Sequence, residues 1–272
     1  MYIAIDVGGT KTLVAAYSED GQVLRSEKHP TDANFDKFMQ ATIVAVEAIA
    51  QGERIDAIGV ASPALIDHAT GVSKSFGNLD WKNVDIVSPL KEAFVDAVFI
   101  DNDAKLGALG EANMGAGQGH EKMLYLTLST GIGVGVTING KISEVLHDIE
   151  GGMMTFRHDG KLMIWEKFAS GKAFYEEFGM RGEDDNNPDD WKEWAEDVSI
   201  GLINLISLIQ PDIVVIGGSM GNHISKYHDF LQASVQAKRG ATVEMPVIVG
   251  AKYPDDAVIN GCYVLCKQHN QN

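Results

Sequence analysis

Two segments of the 272-residue chain share one order of elements, and this repeat limits the possible folds more than any other feature. The first segment, at residues 2–29, reads as a strand, the turn VGGT, a second strand, the tight turn EDGQ and a third strand. The second, from residue 124, reads LYLTL, STGIG, VGVTI and NGK. Glycine-rich hairpins also recur by chance in α/β proteins, but the shared order favours an internal duplication.

Helices and further strands are predicted between and after these two segments. Apolar spacing predicts a helix over residues 35–51, and other helices are expected over 104–114, 169–179 and 191–209. Strands are expected at DAIGVASPA, AVFIDND and IVVIGG, with loops through residues 66–83 and at RGEDDNNPDD. Because no linker rich in Pro, Ser or Gly divides the chain, we expect an α/β fold of two lobes packed around a cleft.

The charge balance and the cysteines narrow the class of protein. A formal charge of −16 disfavours nucleic acid and anionic membranes as partners, because phosphate contacts need clustered Lys and Arg. No transmembrane stretch and no secretory signal are visible. The two cysteines, Cys262 and Cys266, lie on one face of the predicted last helix, where they read as small buried residues rather than a disulfide. We therefore expect a cytoplasmic protein.

Three glycine-rich turns follow predicted strands and are candidate phosphate sites. They are Asp6–Thr12, Ser129–Gly133 and Gly217–Ser219. Paired glycines let backbone N–H groups approach an anion closely, and the Asp6 carboxylate can hold the hydration shell of Mg²⁺. A single such turn could equally be a hairpin without a ligand. Three turns at strand ends favour a nucleotide site.

Polar residues end the strand AVFIDND. Carboxylates at strand ends face the crevice in open α/β sheets, so an aspartate of Asp101-Asn102-Asp103 could accept a hydroxyl proton during phosphoryl transfer. The alternative is that these residues only cap the helix that begins near Ala104. Capping and catalysis are compatible, so both interpretations stay open.

The motifs together resemble the ROK (repressor, open reading frame, kinase) family of sugar kinases, and specifically its glucokinase-like members. DVGGTKT, GNLDW at residues 77–81, NDA, STGIGVG and IGG occur in the order seen in that family, and the resemblance covers nearly the whole chain. EGGMMT at residues 150–155 is similar to the family's sugar-binding stretch, and EKFASG at residues 166–171 to the segment after its zinc motif. The resemblance implies a duplicated, actin-like (ribonuclease H-like) ATPase fold.

The resemblance also implies roles for individual residues. Asp103 would be the catalytic base, and ATP and Mg²⁺ would be required. The implied sugar ligands are Asn78, Asn102, Asp103, Glu150 and Glu166. The residues implied to face the nucleotide and its metal are Asp6, Gly8, Gly9, Thr10, Lys11, Thr12, Thr130, Gly131, Gly133, Gly217 and Gly218. We expect lobes at residues 1–105, joined by the C-terminal helix, and 106–272, and a homodimer.

The chain departs from the family pattern around residue 153. Met153 stands where the family usually has a histidine that contacts the sugar and zinc, and Ala64 replaces a usual glycine. The segment TFRHDGKLMIWE contains none of the family's zinc-binding cysteines, and His158 is its only candidate ligand. One histidine does not make a tetrahedral site, so we predict no zinc site and interpret His158 as a lone surface histidine.

The leading hypothesis is transfer of the ATP γ-phosphoryl group to the 6-hydroxyl of a glucose-like hexose or N-acetylhexosamine. One alternative is a polyphosphate-dependent glucokinase, although the negative charge argues weakly against a polyphosphate groove. Another is a non-catalytic sugar-binding or sensing protein. The repressors of the family carry a helix-turn-helix before the first phosphate strand. Because this strand starts at residue 2 of the sequence, we expect no such segment here.

Overall fold

The structure is a computed structural model that describes residues 1–67, 70–76 and 79–270. The strands are β1 Tyr2–Val7, β2 Lys11–Tyr17, β3 Val23–Pro30, β4 Ala57–Ser62, β5 Ala64–Asp67, β6 Val72–Phe76, β7 Lys82–Val84, β8 Val98–Asn102, β9 Lys122–Leu128, β10 Ile132–Ile138, β11 Lys141–Ile142, β12 Thr155–His158, β13 Lys161–Ile164, β14 Ile213–Gly217 and β15 Val247–Gly250. The helices are α1 Phe35–Ala50, α2 Val87–Ala93, α3 Asp103–Met114, α4 Glu166–Ala169, α5 Gly171–Phe178, α6 Pro188–Ile209, α7 Ile224–Lys238 and α8 Ala257–Asn270.

The chain forms two compact units. The first comprises Met1–Gly110 with Val258–Asn272, and the second comprises Glu111–Ala257. The division falls inside α3, a few residues beyond the predicted limit at residue 105, and the C-terminal helix α8 belongs to the first unit.

The main sheets of the two units have the same topology. In the first unit the strand order is β3-β2-β1-β4-β8, and in the second it is β11-β10-β9-β14-β15. In each, an antiparallel hairpin is followed by strands that pair in parallel, β1 with β4 and β9 with β14. This shared order supports the predicted duplication.

Each unit has its own apolar core. In the first unit, α1 packs Phe38 and Val46 against the sheet, together with Ile3, Ile5 and Ile58. Helix α8 also lies against this sheet: the Cys262 Sγ donates to the Ile5 carbonyl, and a Cβ at Gly59 would lie 2.2 Å from the Cys262 carbonyl oxygen. The cysteines are thus buried packing residues, and burial raises the pKa of both thiols.

The core of the second unit is rich in aromatic side chains. Trp165, Phe174, Trp191, Trp194 and Tyr227 are almost completely buried there. Trp191 stacks on Tyr227 with ring centroids 5.6 Å apart. Stacked and edge-on aromatic pairs stabilise such a core beyond their area alone.

Two predictions about local structure are wrong. Residues 66–83 were expected to be a loop, but β5, β6 and β7 form a small antiparallel sheet there, whose short polar strands carry little periodicity. Pro188 was expected in a loop, but it begins α6 after the cap Asn187. Proline fits the first turn of a helix because the N–H that it lacks has no intrahelical partner there.

Helix α6 is the longest in the described part of the chain. No helix among the residues that the structure describes is both long enough and apolar enough to cross a bilayer.

Candidate functional site

The carboxyl edge of the first sheet brings the predicted acidic residues together. Because β1, β4 and β8 are parallel, Asp6 lies in register with Ala61, and Ala61 with Asp101. Asp103 follows β8 directly and begins α3. The N-terminus of a helix favours negative charge, and Asp103 lies at that position.

Asn102 caps helix α3. Its Oδ1 accepts the N–H groups of Ala104 and Lys105 at 3.0 and 3.4 Å. Asp101, which is buried, accepts the Asn102 N–H at 2.7 Å. Asp103 Oδ1 accepts the N–H of Ala104 at 2.8 Å. The capping interpretation therefore holds for Asn102, and a catalytic role for Asp103 stays a prediction.

Asp6 has a strongly perturbed acidity. Burial, and then the charge of Asp103, raise its pKa from 3.8 to about 7, while Lys28 lowers it. The carboxyl groups of Asp6 and Asp103 repel one another at this sheet edge. Mg²⁺ prefers such hard oxygen donors and can bind them directly or through water. The residues present thus fit the predicted magnesium site.

The first glycine-rich turn, between β1 and β2, is held by Thr31. Gly8 donates to the Lys11 carbonyl at 3.1 Å, and Thr31 donates to the carbonyls of Gly8 and Thr10. Thr12 is fully buried with its Oγ1 2.9 Å from the Thr31 Oγ1. Gly8 and Thr12 thus make contacts within the turn, and their contact with the nucleotide stays a prediction.

The exposed part of this turn is short. Gly9 is partly buried, and the side chains of Thr10 and Lys11 are exposed. These three residues remain the candidates for contact with phosphate.

The second glycine-rich turn, between β9 and β10, is tied to α4 and α5. Ser129 donates to the Gly131 carbonyl at 2.9 Å, and the Ser129 carbonyl accepts the Gly171 N–H at 2.7 Å. The Ile132 N–H donates to Glu166 Oε2 at 3.0 Å. A Cβ at Gly131 would lie 2.4 Å from that oxygen, so a larger residue there would require the Glu166 carboxylate to move.

Two other glycines predicted to touch the nucleotide lie within strands. Gly133 pairs with Thr127 inside the sheet, which places it beyond the turn. Gly217 ends β14, where a Cβ would overlap the Tyr125 hydroxyl. Gly218 has a φ of +77°, which turns the chain towards Ser219.

A cavity of about 480 Å³ opens beside the second turn. It is lined by Ser129, Thr130, Gly171, Lys172, Tyr175, Arg181, Gly182, Glu183, Ser219, Met220 and His223. Burial, followed by the charge of Lys226, lowers the pKa of His223. Sequence reasoning found the turn and Ser219 but missed the residues from α5, the loop after it and His223. The one usable signal was Ser170, which caps α5 by accepting the Ala173 N–H.

The predicted sugar segment lies against β10. Gly151 and Gly152 form a 3-10 turn in which added Cβ atoms would meet the Val134 side chain and the Ile132 carbonyl. Glu150 is exposed, and so is Met153, at 47%. Glu166 is the other predicted sugar carboxylate, and its Oε2 accepts a hydrogen bond from the Ile132 N–H. Asn78 lies outside the described residues.

His158 is not a lone surface histidine, which corrects the prediction. The hairpin β12–β13 turns at Asp159-Gly160, and its His158 Nε2 lies 2.9 Å from Asp197 Oδ1 of α6. The ring stacks on Phe168 at 4.2 Å. Burial raises the pKa of Asp197, and the contact with His158 opposes this. Within the described ranges, no three His, Cys, Asp or Glu side chains are grouped to hold a metal ion.

These features define the class of protein before any comparison. Two units with one sheet topology, each built on a glycine-rich hairpin, form the duplicated, actin-like α/β fold that the sequence predicted. The model of the ROK family matches residues 2–269, and the chain belongs to that family.

Several relatives match along most of their length. A glucokinase of Streptomyces coelicolor is 28% identical over 265 residues, covering 81% of this chain and 82% of the relative. A ROK family glucokinase from Streptomyces griseus, solved with glucose and AMPPNP, has a TM-score of 0.83 at 24% identity and covers 98% of this chain and 99% of its own. An inorganic polyphosphate/ATP-glucomannokinase from an Arthrobacter species has a TM-score of 0.76 at 26% identity, with 98% of each chain covered.

Proposed function

We propose that this glucokinase-like sugar kinase transfers the γ-phosphoryl group of ATP to the 6-hydroxyl of a hexose, with Asp103 as the general base. The observation that carries the proposal is the position of Asp103, at the end of β8 and at the start of α3, close enough to Asp6 to raise the pKa of that carboxyl. A base at a strand end beside a candidate magnesium ligand is the arrangement that phosphoryl transfer to an alcohol requires.

The transfer balances with one base and one leaving group. The hydroxyl oxygen of the sugar forms a bond to the γ-phosphorus while the bond from that phosphorus to the β–γ bridging oxygen breaks. The hydroxyl proton passes to Asp103, and ADP leaves. Bound Mg²⁺ would supply positive charge to the phosphate oxygens, and Asp6 would hold it. Since the transition state is loose, positioning and electrostatics contribute most of the rate.

We assign the donor nucleotide to the cavity of the second unit. Backbone groups of Thr130 and Gly131 would face the phosphates, and the exposed cations Lys172 and Arg181 at the cavity supply positive charge. A cavity of about 480 Å³ that includes Tyr175 and Met220 has room and apolar surface for a nucleoside. Polyphosphate has no base to fill such a space, and this favours ATP.

We assign the sugar to the carboxylates that flank the hairpin β12–β13. Glu150 and Glu166 precede and follow this segment, and charge-assisted hydrogen bonds from sugar hydroxyls suit both. Asn78 and Asn102 are the amide candidates. Met153 is exposed beside Glu150, so one hydroxyl would meet a thioether instead of a stronger partner.

The decisive experiment is a coupled assay that tests glucose, mannose, fructose and the N-acetyl forms of glucosamine and mannosamine as acceptors. Each sugar is tested with ATP or with polyphosphate as the donor. Asp103→Asn should lower kcat by about 10² or more with little change in sugar affinity, because the amide keeps the shape and loses the base. Asp96→Asn, at an exposed turn of the same unit, is the matched control.

Three outcomes would contradict parts of the proposal. Near-normal turnover of Asp103→Asn with every accepted sugar would show that Asp103 is not the general base. Turnover with polyphosphate and no turnover with ATP would identify the alternative donor, which the name of the Arthrobacter polyphosphate/ATP-glucomannokinase includes. A product phosphorylated at another carbon, as identified by ¹³C NMR, would show that the 6-hydroxyl is not the phosphoryl acceptor.

A further inference from the structure

The loop between α5 and α6 forms one wall of the cavity. Arg181, Gly182 and Glu183 line it, while the following residues turn back towards α6. Within the loop, Asp184 and Asp185 both donate their N–H groups to the Arg181 carbonyl at 3.0 Å. The loop needs an anchor to its surroundings, because one such turn fixes few residues.

Lys226 of α7 supplies that anchor. Its Nζ donates to the carbonyls of Gly182 at 2.9 Å and Asp185 at 2.6 Å. It also lies 5.3 Å from the centre of the Trp191 ring. Trp191 Nε1 donates to the same Asp185 carbonyl at 3.2 Å. A partly buried ammonium with two carbonyl acceptors and an aromatic face is held in one place.

The anchored part of the loop packs tightly against the cavity. A Cβ at Gly182 would lie 3.1 Å from His223 Cδ2 and from Trp191 Cη2, and 3.2 Å from Met220 Sδ. His223 and Met220 line the same cavity as Gly182. If the Gly182 backbone shifted, it would press on Met220 and His223, which line the same cavity. The position of this backbone therefore sets the width of the cavity at this point.

We propose that Lys226 is a positioning residue for the donor nucleotide: it fixes the Gly182–Asp185 backbone and so sets the wall of the cavity. This inference rests on the assignment of the nucleotide to the cavity. Lys226 is not among the residues that line the cavity, so it acts through the loop rather than on the ligand.

The test is titration of the full chain with Mg·AMPPNP by calorimetry. Lys226→Met, which keeps the length and removes the donor, should weaken binding by about tenfold or more, since small misplacements in a preorganised site are costly. Lys226→Arg, which can donate to both carbonyls, should stay within about threefold of the wild type.

The matched control is Lys238→Met on the same helix. Lys238 Nζ also donates to two acceptors, the hydroxyls of Ser199 and Ser234, which lie away from the loop. This variant should bind AMPPNP as the wild type does. Equal affinities for Lys226→Met and Lys238→Met would overturn the proposal. If Lys226→Met fails to fold, Lys226→Leu, which also lacks a donor, takes its place, and wild-type affinity there overturns the proposal equally.

A cavity-filling variant separates this inference from the proposed function. Thr130 is exposed at the cavity, and Thr130→Trp should abolish AMPPNP binding. Unchanged binding in Thr130→Trp would show that the nucleotide lies elsewhere. Lost binding in Thr130→Trp with unchanged binding in Lys226→Met would overturn the positioning role alone.

NMR titration of His223 gives a second readout that general destabilisation does not move. Lys226 lowers the pKa of His223, Glu183 raises it, and burial is the largest cause of its low value. In Lys226→Met the pKa of His223 should rise, and in Lys238→Met it should stay unchanged. If the pKa of His223 is unchanged in Lys226→Met, the Lys226 ammonium does not lie near this wall of the cavity, and the proposal is wrong.

Discussion

Replacing Asp6 by asparagine should change how the stability of the protein depends on pH. Burial, and then repulsion from Asp103, raise the pKa of Asp6 from 3.8 to about 7 in the folded state. An unfolded chain has neither effect, so there Asp6 titrates at its ordinary value. Between these two values, the folded state holds a proton that the unfolded state has already released.

The sign and size of the effect follow by linkage. Because the folded pKa is the higher one, the free energy of unfolding falls as pH rises from about 4 to about 7 and then levels off. About three units correspond to roughly 4 kcal/mol at 1.36 kcal/mol per unit. This is an upper limit, since the carboxyl keeps some contact with water. Roughly half of the loss develops between pH 5.5 and 8.

The assay is urea unfolding in EDTA at pH 5.5 and pH 8, followed by tryptophan fluorescence and circular dichroism. Asp6→Asn carries no charge at either pH, so it should gain stability over the wild type by up to roughly 2 kcal/mol more at pH 8 than at pH 5.5. Asp96→Asn, at an exposed turn, should show no such gain.

The result that refutes this reasoning is a difference between Asp6→Asn and the wild type that does not change with pH. Asp6 would then be ionised across the whole range, and neither burial nor Asp103 would perturb it. The same variant should lose most of its kinase turnover, because an amide holds Mg²⁺ less well than a carboxylate. A stable and fully active Asp6→Asn would remove Asp6 from the metal site.

Three further predictions concern the sugar segment. Glu150→Gln and Glu166→Gln should each raise the sugar KM by about tenfold or more, with the KM for ATP nearly unchanged. Unaltered kinetics would show that neither carboxylate contacts the sugar. Met153→His should change the ratios of kcat/KM among glucose, mannose and their N-acetyl forms, and constant ratios would place Met153 away from the substrate. Elemental analysis should find no stoichiometric zinc, and one zinc per chain would mean that His158 and its neighbours were misinterpreted.

The parts of the fold that could be predicted are those with a local signal. The two hairpins around VGGT and STGIG combine strand periodicity with glycine turns, so the duplication could be predicted from residues 2–29 and 124–141 alone. Helix α1 was predicted to within a residue because its apolar face repeats at helical spacing, and the structure shows that Asn34 caps it. The rule that carboxylates at strand ends face the crevice indicated the polar end of β8, whereas the choice of Asp103 as the base came from the family resemblance and stays a prediction.

The parts that could not be predicted depend on contacts between distant segments. Lys172, Arg181 and His223 line one cavity although they are separated by many residues, and none belongs to a local motif. The resemblance implies a nucleotide contact for Thr12, and the local sequence did not reveal that Thr12 is buried with its hydroxyl next to that of Thr31. The role of a hydroxyl is decided by its partner, which local sequence does not reveal.

The segment that lacks the zinc cysteines is held by side chains of the second unit instead. Trp165 is completely buried and its Nε1 donates to the Asp197 carbonyl at 3.2 Å, while a Cβ at Gly201 would overlap its ring. His158 pairs with the Asp197 carboxylate and stacks on Phe168. Both ends of the strand pair β12–β13 are thus attached to α6 near Asp197.

This attachment bears on the sugar ligands, because the strand pair connects Met154 to Trp165. The Trp165 N–H donates to the Met154 carbonyl at 2.7 Å, which brings the chain after Glu150 next to the chain before Glu166. The anchored hairpin therefore holds the backbone that follows Glu150 close to the backbone that precedes Glu166. A buried indole and a paired imidazole do this through packing and hydrogen bonds, which is the physical reason to expect zinc independence.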